Sequence, residues 1–437
     1  MNFTQVLSPL SVPEIKKGSL AQVDKNKVVI VGGGPAGMMA AISAGLSGKD
    51  VTIVERNFSL GRKLLLTGGG RCNLTNACEP EDLVDHFSRT GTFLRDAFNM
   101  FNNIELLRFF SENKLSTKTE EKGRVFPVTD KALSVLNVLE VKLRALKINV
   151  LSGKRVKDVI LDKNVVSGVL CTDGSKVKAA AVILATGGVT YKTTGSTGDG
   201  IKIAERMGHR VVPLRPGLVS LELSKEYPGG LEGLSLNEVK LTFRAGKTRS
   251  VSGPDGLIFT ERGISGPAVF FSSAKVIDWM NDEKEVSVDI DMMPTISCKG
   301  VEGILLNKLS ASSGKGVKNI IKEIIPARLA VFLLQLAQIQ PEKKSNQITD
   351  KERKRLVGFL KELRFNVRGG GSMDKARVTR GGVSVKDIDP RTMGSRKIKG
   401  LYFAGEMIDV DGDCGGFNLQ AAFSTGYLAG CSAAESN

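Results

Sequence analysis

The chain has 437 residues, with 62 Lys and Arg against 46 Asp and Glu, a formal net charge of +16. That length exceeds what one hydrophobic core holds, since cores stop growing near ~250–300 residues, and it predicts two to three domains. With 41% hydrophobic and 25% charged residues, global disorder is excluded, and no apolar run approaches the ~20 residues of a membrane span. Two histidines, His86 and His209, lack partners at metal-ligand spacing, so a histidine-rich zinc site is excluded and no metal is expected. The six cysteines form no CxxC pair and read as the reduced thiols of a cytoplasmic protein.

In chain order, residues 1–26 lack apolar periodicity and are expected to form a flexible arm. The arm has no secretory apolar region, and with Glu14, Asp24 and no arginine it matches an organellar transit peptide poorly. A buried-type strand follows at Lys27–Val31, then a glycine turn, a helix over Met38–Leu46 and a second strand, Val51–Glu55, completing a βαβ unit. Helices are predicted over 92–113 and 131–147, and strands over 149–170 and at Ala180–Ala185. Short strands punctuated by Gly and Pro fill 209–295, and helices return over 301–364. Strand, glycine turn and helix close the chain. The expected organisation is α/β: a split Rossmann-like dinucleotide-binding domain, 27–205 and 367–437, with an inserted domain at 206–366. The insert is β-rich over 206–300 and helical and basic over 301–366.

Gly32, Gly34 and Gly37 give G-x-G-x-x-G between the first strand and the helix, with Ala36 inside the turn. The first glycine permits the tight turn, the second lets a pyrophosphate reach the backbone, and the third lets helix pack on strand. Glu55 ends the second strand where a carboxylate can grip ribose hydroxyls, and Arg62 and Lys63 follow as candidates to neutralise the pyrophosphate. The strand ending in Thr186-Gly187 resembles the second glycine turn of FAD-dependent oxidoreductases. Leu401-Tyr-Phe-Ala-Gly405-Glu406 resembles their third motif, whose acid holds the ribityl chain. Val156 occupies the position of the strand that pairs with adenine in such proteins. FAD is therefore the expected cofactor. No second G-x-G-x-x-G marks a nicotinamide domain, which leaves NAD(P)H as an external electron donor.

Gly61-Arg-Lys-Leu-Leu-Leu-Thr-Gly-Gly-Gly-Arg-Cys-Asn-Leu-Thr-Asn76 resembles the BaiN/RdsA-like family of NAD(P)/FAD-dependent oxidoreductases, also called YhiN-like or aminoacetone-oxidase-type. Gly123–Asp130, Gly195–Gly200, Ser265–Pro267, Val378–Val383 and Asp411–Gln420 match it too. The resemblance implies an inserted β-barrel-like and helical portion and reduction of activated carbon–carbon double bonds, in bile-acid enones or in a uracil of large-subunit ribosomal RNA. Two departures, Glu261-Arg262 after Thr260 and Arg380 after Thr379, are expected near the substrate.

Within these motifs, Asn418 and Leu419 open the last helix, whose N-terminus is expected to face the flavin, and Arg71 and Asn73 are expected to orient cofactor or substrate. Cys72, between them, is the candidate proton donor, its thiol pKa expected to be lowered by cationic surroundings; Cys414 and Tyr191 are rivals. Residues 301–368 hold 14 basic and 6 acidic residues, and Lys351–Arg355 with Lys361, Arg364 and Arg368 suggests a helix face for RNA phosphates. The partner is then ribosomal RNA, the product dihydrouridine; the alternatives are a small enone or amine substrate, and an RNA-binding or assembly factor carrying an incidental flavin.

Overall fold

The computed structural model describes residues 26–87, 90–224, 230–312 and 314–435. The arm expected over 1–26 lies, apart from Asn26, outside them.

The β-branched run Lys27–Val31 lies at the centre of a five-stranded parallel sheet and is buried along almost its whole length. Asp50–Val54 and then Asn149–Leu151 lie on one side of it, Ala181–Leu184 and then Leu401–Phe403 on the other. Each strand is apolar because both faces are covered, as an all-parallel sheet requires. The strand order reverses beside Lys27–Val31, so the turns after Val31, Val54, Leu184 and Phe403 open onto one edge. That edge is where ligands bind in doubly wound sheets.

Two helices cross over one face of this sheet, Pro35–Leu46 and the last helix, Phe417–Glu435. They meet backbone to backbone. A Cβ on Gly426 would overlap the Ala36 carbonyl, and one on Gly430 would overlap the Ala40 carbonyl and the Ser43 hydroxyl. The glycines forfeit about 1 kcal/mol each of helix propensity, and the close contact is what their missing side chains permit.

A second core lies within residues 221–367. Its seven-stranded sheet is antiparallel throughout, and pairing of Ser235–Ala245 with Val286–Asp291 closes it into a barrel. Helices Cys298–Ala311, Val317–Ile321, Ala327–Leu336 and Asp350–Lys361 supply apolar side chains to the same core. The chain enters through Val211–Gly217 and returns through Val378–Val383, which pair antiparallel. The boundary expected between 366 and 367 falls inside a barrel strand, Leu363–Gly370, whose alternation of buried and exposed residues runs across it. The helix expected over 92–113 is also broken. Arg95–Met100 ends at Phe101, and Asn102 starts a new helix, Asn103–Glu112, by accepting a hydrogen bond from the Glu105 amide. Periodicity ran through a cap that the Asn residue marked.

His209 packs edge-on against Phe403, with its ring nitrogens against the Ala204 carbonyl at 3.1 Å and the Ser395 hydroxyl at 2.7 Å. Burial lowers its pKa below the ordinary 6.5. The unfolded chain therefore binds the proton more readily, and stability is lost as pH falls through about 6.5. The melting temperature should drop across that window in the native protein, and the His209→Gln variant should show a flatter dependence; parallel curves would remove His209 from the acid response.

Candidate functional site

The first strand ends in Gly32, whose φ of +106° no ordinary side chain adopts readily; a Cβ there would lie 2.6 Å from the Ala185 carbonyl oxygen. A Cβ on Gly37 would overlap the Gly32 carbonyl, so helix and turn touch there. Gly34 differs, since a Cβ there would meet no protein atom within 4 Å. It faces a groove lined also by Gly32, Glu55, Arg62, Lys63, Val156, Thr186, Gly187 and Glu406. Ala36 and Gly37 do not line this groove; they belong to the packing beneath it.

The buried Glu55 carboxylate accepts hydrogen bonds from the Gly33 amide at 2.7 Å and from the Asn57 amide and side chain at 2.8 and 2.7 Å. These contacts fix it at the groove wall. Arg62 donates to the Asn57 side chain at 3.0 Å. Thr186 Oγ1 is buried on the opposite wall without a hydrogen-bond partner, an orphaned polar atom in a groove lined by polar groups. Open space at Gly34, a carboxylate held at the second strand end and this hydroxyl together fit a dinucleotide.

Further along, Lys63 donates to Glu406 at 2.6 Å and to Thr190 at 2.7 Å, while Glu406 accepts from the Thr379 amide at 2.8 Å. Lys63 and Glu406 also border a second stretch of the groove with Gly405, Asn418 and Leu419. Beyond it lies a cavity of about 400 Å³. Its apolar wall comes from Leu66, Phe126, Leu218, Phe270, Val378 and Leu419, and its cations are Lys63, Arg71, Arg124 and Arg377. Lys63 borders all three stretches, so groove and cavity adjoin at it.

Several expected residues take other roles. Cys72 is fully buried on the loop after three left-handed glycines and lines neither groove nor cavity. Burial pushes its thiol up to about 12, opposite to the lowering expected from neighbouring cations. Those cations face elsewhere: the Arg71 guanidinium stacks on Phe126 and pairs with Glu120 and with Asp130 at 2.6 Å. Asn73 lines the cavity, yet its side-chain oxygen is occupied by the Val125 amide at 3.1 Å. Asn418 closes the loop before the last helix through the Gly412 amide and the Gly412 and Asp413 carbonyls. Gln420 is buried between Thr75, Phe101 and Ser424. Cys414 does line the cavity, and it is exposed there.

Neither Glu261 nor Arg262 borders the cavity. Arg380 does not reach it either. It is buried and ion-paired with Asp278 at 3.0 Å and with Asp411 at 3.5 Å, while Arg215 joins the same Asp278 at 2.8 Å. Arg380 thus ties the helix Pro267–Asn281, which carries Phe270, to the loop before Cys414. Sequence reasoning missed Arg377 and Phe270 altogether, because no local pattern brings them to the cavity.

This fold and this groove define an FAD-dependent oxidoreductase with a Rossmann-like cofactor domain. Residues 26–432 match the family described as HI0933-like protein Rossmann domain, and the chain belongs to that family, as the resemblance to BaiN/RdsA-like proteins implies. It is 34% identical to the 3-dehydro-bile acid delta(4,6)-reductase of Clostridium scindens over 94% of this chain and 99% of that one. It is 31% identical to the ribosomal RNA dihydrouridine synthase of Escherichia coli over 93% of this chain and 97% of that one. Among solved structures, a 3-ketosteroid-delta4-(5alpha)-dehydrogenase from Rhodococcus jostii superposes with a TM-score of 0.51 at 16% identity, covering 95% of this chain and 98% of that one; the likeness is one of fold.

Gly34→Val should leave the fold and its melting temperature intact, since a Cβ there meets no protein atom within 4 Å, but the purified protein should carry no flavin. A yellow Gly34→Val protein would place the dinucleotide elsewhere.

Proposed function

We propose that the chain reduces a carbon–carbon double bond conjugated to a carbonyl, with uridine of large-subunit ribosomal RNA as substrate and dihydrouridine as product. FAD would lie along the groove, its pyrophosphate over Gly34 and the start of the Pro35–Leu46 helix, a ribose at Glu55, adenine beside Val156, and its ribityl chain near Glu406. When bound, FAD supplies the two-electron chemistry, replenished by NAD(P)H from solution. The chain's own part is to hold the substrate ring in the cavity at the groove's far end, exclude water with Leu66, Phe126, Phe270 and Leu419, and attract its polar edge to the cations there.

The observation that carries this reading is that the dinucleotide groove adjoins, at Lys63, an open, apolar-walled cavity ringed by cations. A stacked uridine must be splayed out to enter such a cavity, and aromatic walls receive an unstacked base. The net charge of +16 favours approach of a polyanion. Mass spectrometry of ribosomal RNA from cells with and without the gene should show one uridine gaining two hydrogens only when the protein is present; identical spectra would sink the RNA substrate.

A second reading, reduction of a small alicyclic enone, is favoured by the state of the basic helix Asp350–Lys361. Its cations were expected to meet phosphates, yet most are committed within the protein. Arg353 pairs with Asp350 and Glu302, Lys354 with Asp350 and Lys361 with Asp291 at 2.8 Å, while Arg355 donates to the Ala337 carbonyl; Arg364, on the next strand, pairs with Asp289 at 2.5 Å. Reversing Arg353 and Lys354 to Glu should therefore leave the salt dependence of RNA binding unchanged. Two lost phosphate contacts would flatten that slope by about 1.4–1.8, and such a result would return the helix to the RNA surface.

A further inference from the structure

We propose that Tyr191 donates the proton that completes the reduction and that Arg377 holds the substrate's carbonyl oxygen beside it. The proposal rests on the reductase reading above and names the groups that carry it out. Tyr191 and Arg377 both line the cavity, and they come from segments far apart in sequence. Arg377 Nη1 donates a hydrogen bond to Tyr191 Oη at 3.0 Å. The phenol therefore accepts from the guanidinium, and its own proton remains to be given to a third group.

The surroundings hold this pair in place. Tyr191 sits in the left-handed region at φ 53°, ψ 52°, a conformation seldom adopted by a bulky residue and one that marks functional sites. Its carbonyl accepts from the Thr194 amide and hydroxyl, both at 2.8 Å. Lys192 pairs with Asp374 at 3.1 Å, a second link between the same two segments. The Lys63 ammonium stands 5.8 Å from the centre of the Tyr191 ring, and the Arg377 guanidinium 5.8 Å from that of Phe270. Because Lys63 also borders the dinucleotide groove, the phenol lies where groove and cavity meet.

Other candidates in the cavity are less suited. Cys72 is outside it, and Asp413 is engaged by His86 at 3.2 Å. Arg377 retains further N–H donors on its planar fork for a carbonyl oxygen.

In the reaction the carbon–carbon π bond breaks. The β-carbon gains a hydride equivalent, two electrons and a proton, from the reduced cofactor, and the resulting negative charge passes to the carbonyl oxygen at Arg377. The α-carbon then forms its new C–H bond with the Tyr191 Oη proton, and water restores the phenol. NAD(P)H provides the reducing equivalents for the next cycle. The same chemistry serves a uracil ring and an alicyclic enone, since both present a double bond conjugated to a carbonyl.

The test uses the FAD-loaded enzyme, reduced anaerobically and mixed with either 2-cyclohexen-1-one or an unmodified large-subunit ribosomal RNA transcript. Reoxidation of the flavin is followed in water and in deuterium oxide. Tyr191→Phe should keep the flavin spectrum and melting temperature but slow reoxidation by about 10²–10⁴-fold, the usual worth of a general acid, and should lose the solvent isotope effect of the native enzyme. Arg377→Lys should raise the substrate concentration needed for half-maximal rate, while the isotope effect persists. Native enzyme that reacts with a probe while Tyr191→Phe matches its rate would overturn this proposal and leave the reductase reading standing. Native enzyme inert to both probes would overturn the reading, and the proposal with it. Reaction with only one probe identifies the source of the double bond.

Discussion

The contact of the last helix with the fingerprint helix is the constraint on which the site depends. Gly426 and Gly430 lie four residues apart, hence on one face, and each meets a carbonyl of the Pro35–Leu46 helix where a side chain would collide. The contact brings the N-terminal ends of both helices to the same edge of the sheet. One end opens at Gly34 and the other at Leu419, and the groove runs between them. Thr425 adds a direct bond, accepting from the Gly405 amide at 2.9 Å, so the turn that carries Glu406 is tied to the same helix. Packing of two helices thus sets the distance between the strand-end carboxylates Glu55 and Glu406. Neither has to find its place independently.

The cavity depends on a different device. Its walls come from both parts of the fold: Phe126, Tyr191 and Leu419 from the parallel-sheet part, Phe270 from the helix against the barrel. Only a two-stranded antiparallel pair, Val211–Gly217 with Val378–Val383, carries the chain between them. Such a ribbon alone is marginal, and additional contacts are needed to fix the angle. Arg380 with Asp278 and Asp411 provides one on the inner side, and Lys122 with Asp255 at 2.6 Å another beside the cavity mouth. A buried guanidinium between carboxylates stabilises less than its charge suggests, because desolvation offsets the attraction; removing one partner leaves the other charge unpaired. The pair therefore acts chiefly to specify one orientation.

What could be read from the sequence follows from how local each feature is. The βαβ unit, the glycine turn and Glu55 lie within 30 residues of one another, and each glycine has its own steric reason, so chain order alone exposes them. Thr186 and Glu406 follow from strands that end in small residues. Cys72 was misread because its neighbours in sequence do not face it in space, and Asn418 lines the groove with its amide spent on its own loop. Arg71 turns outward to Glu120 and Asp130, leaving the thiol in a dry interior, and Asn418 turns back on its own loop. Arg377 was invisible for the converse reason: its partner is 186 positions away. The charge count over 301–368 does not show how the charges pair: Arg353 and Lys354 meet Asp350 and Glu302 within that stretch, while Lys361 and Arg364 meet Asp291 and Asp289 outside it.

That last point bears on how a protein of this charge could select a substrate. Cations locked to internal carboxylates contribute to the distant field but cannot close on a phosphate without giving up a partner. Their effect is on encounter, which salt screens, rather than on fit. Discrimination then falls to the cavity, where an apolar wall accepts any flat or alicyclic ring of suitable size and the oxygen acceptor of that ring must meet Arg377. A missing methylene against such a wall changes binding by only about 1–3 kcal/mol, whereas a ring lacking the acceptor forfeits its hydrogen bond to Arg377 and loses its orientation beside Tyr191. A site of this design is tolerant of ring size and selective for the carbonyl.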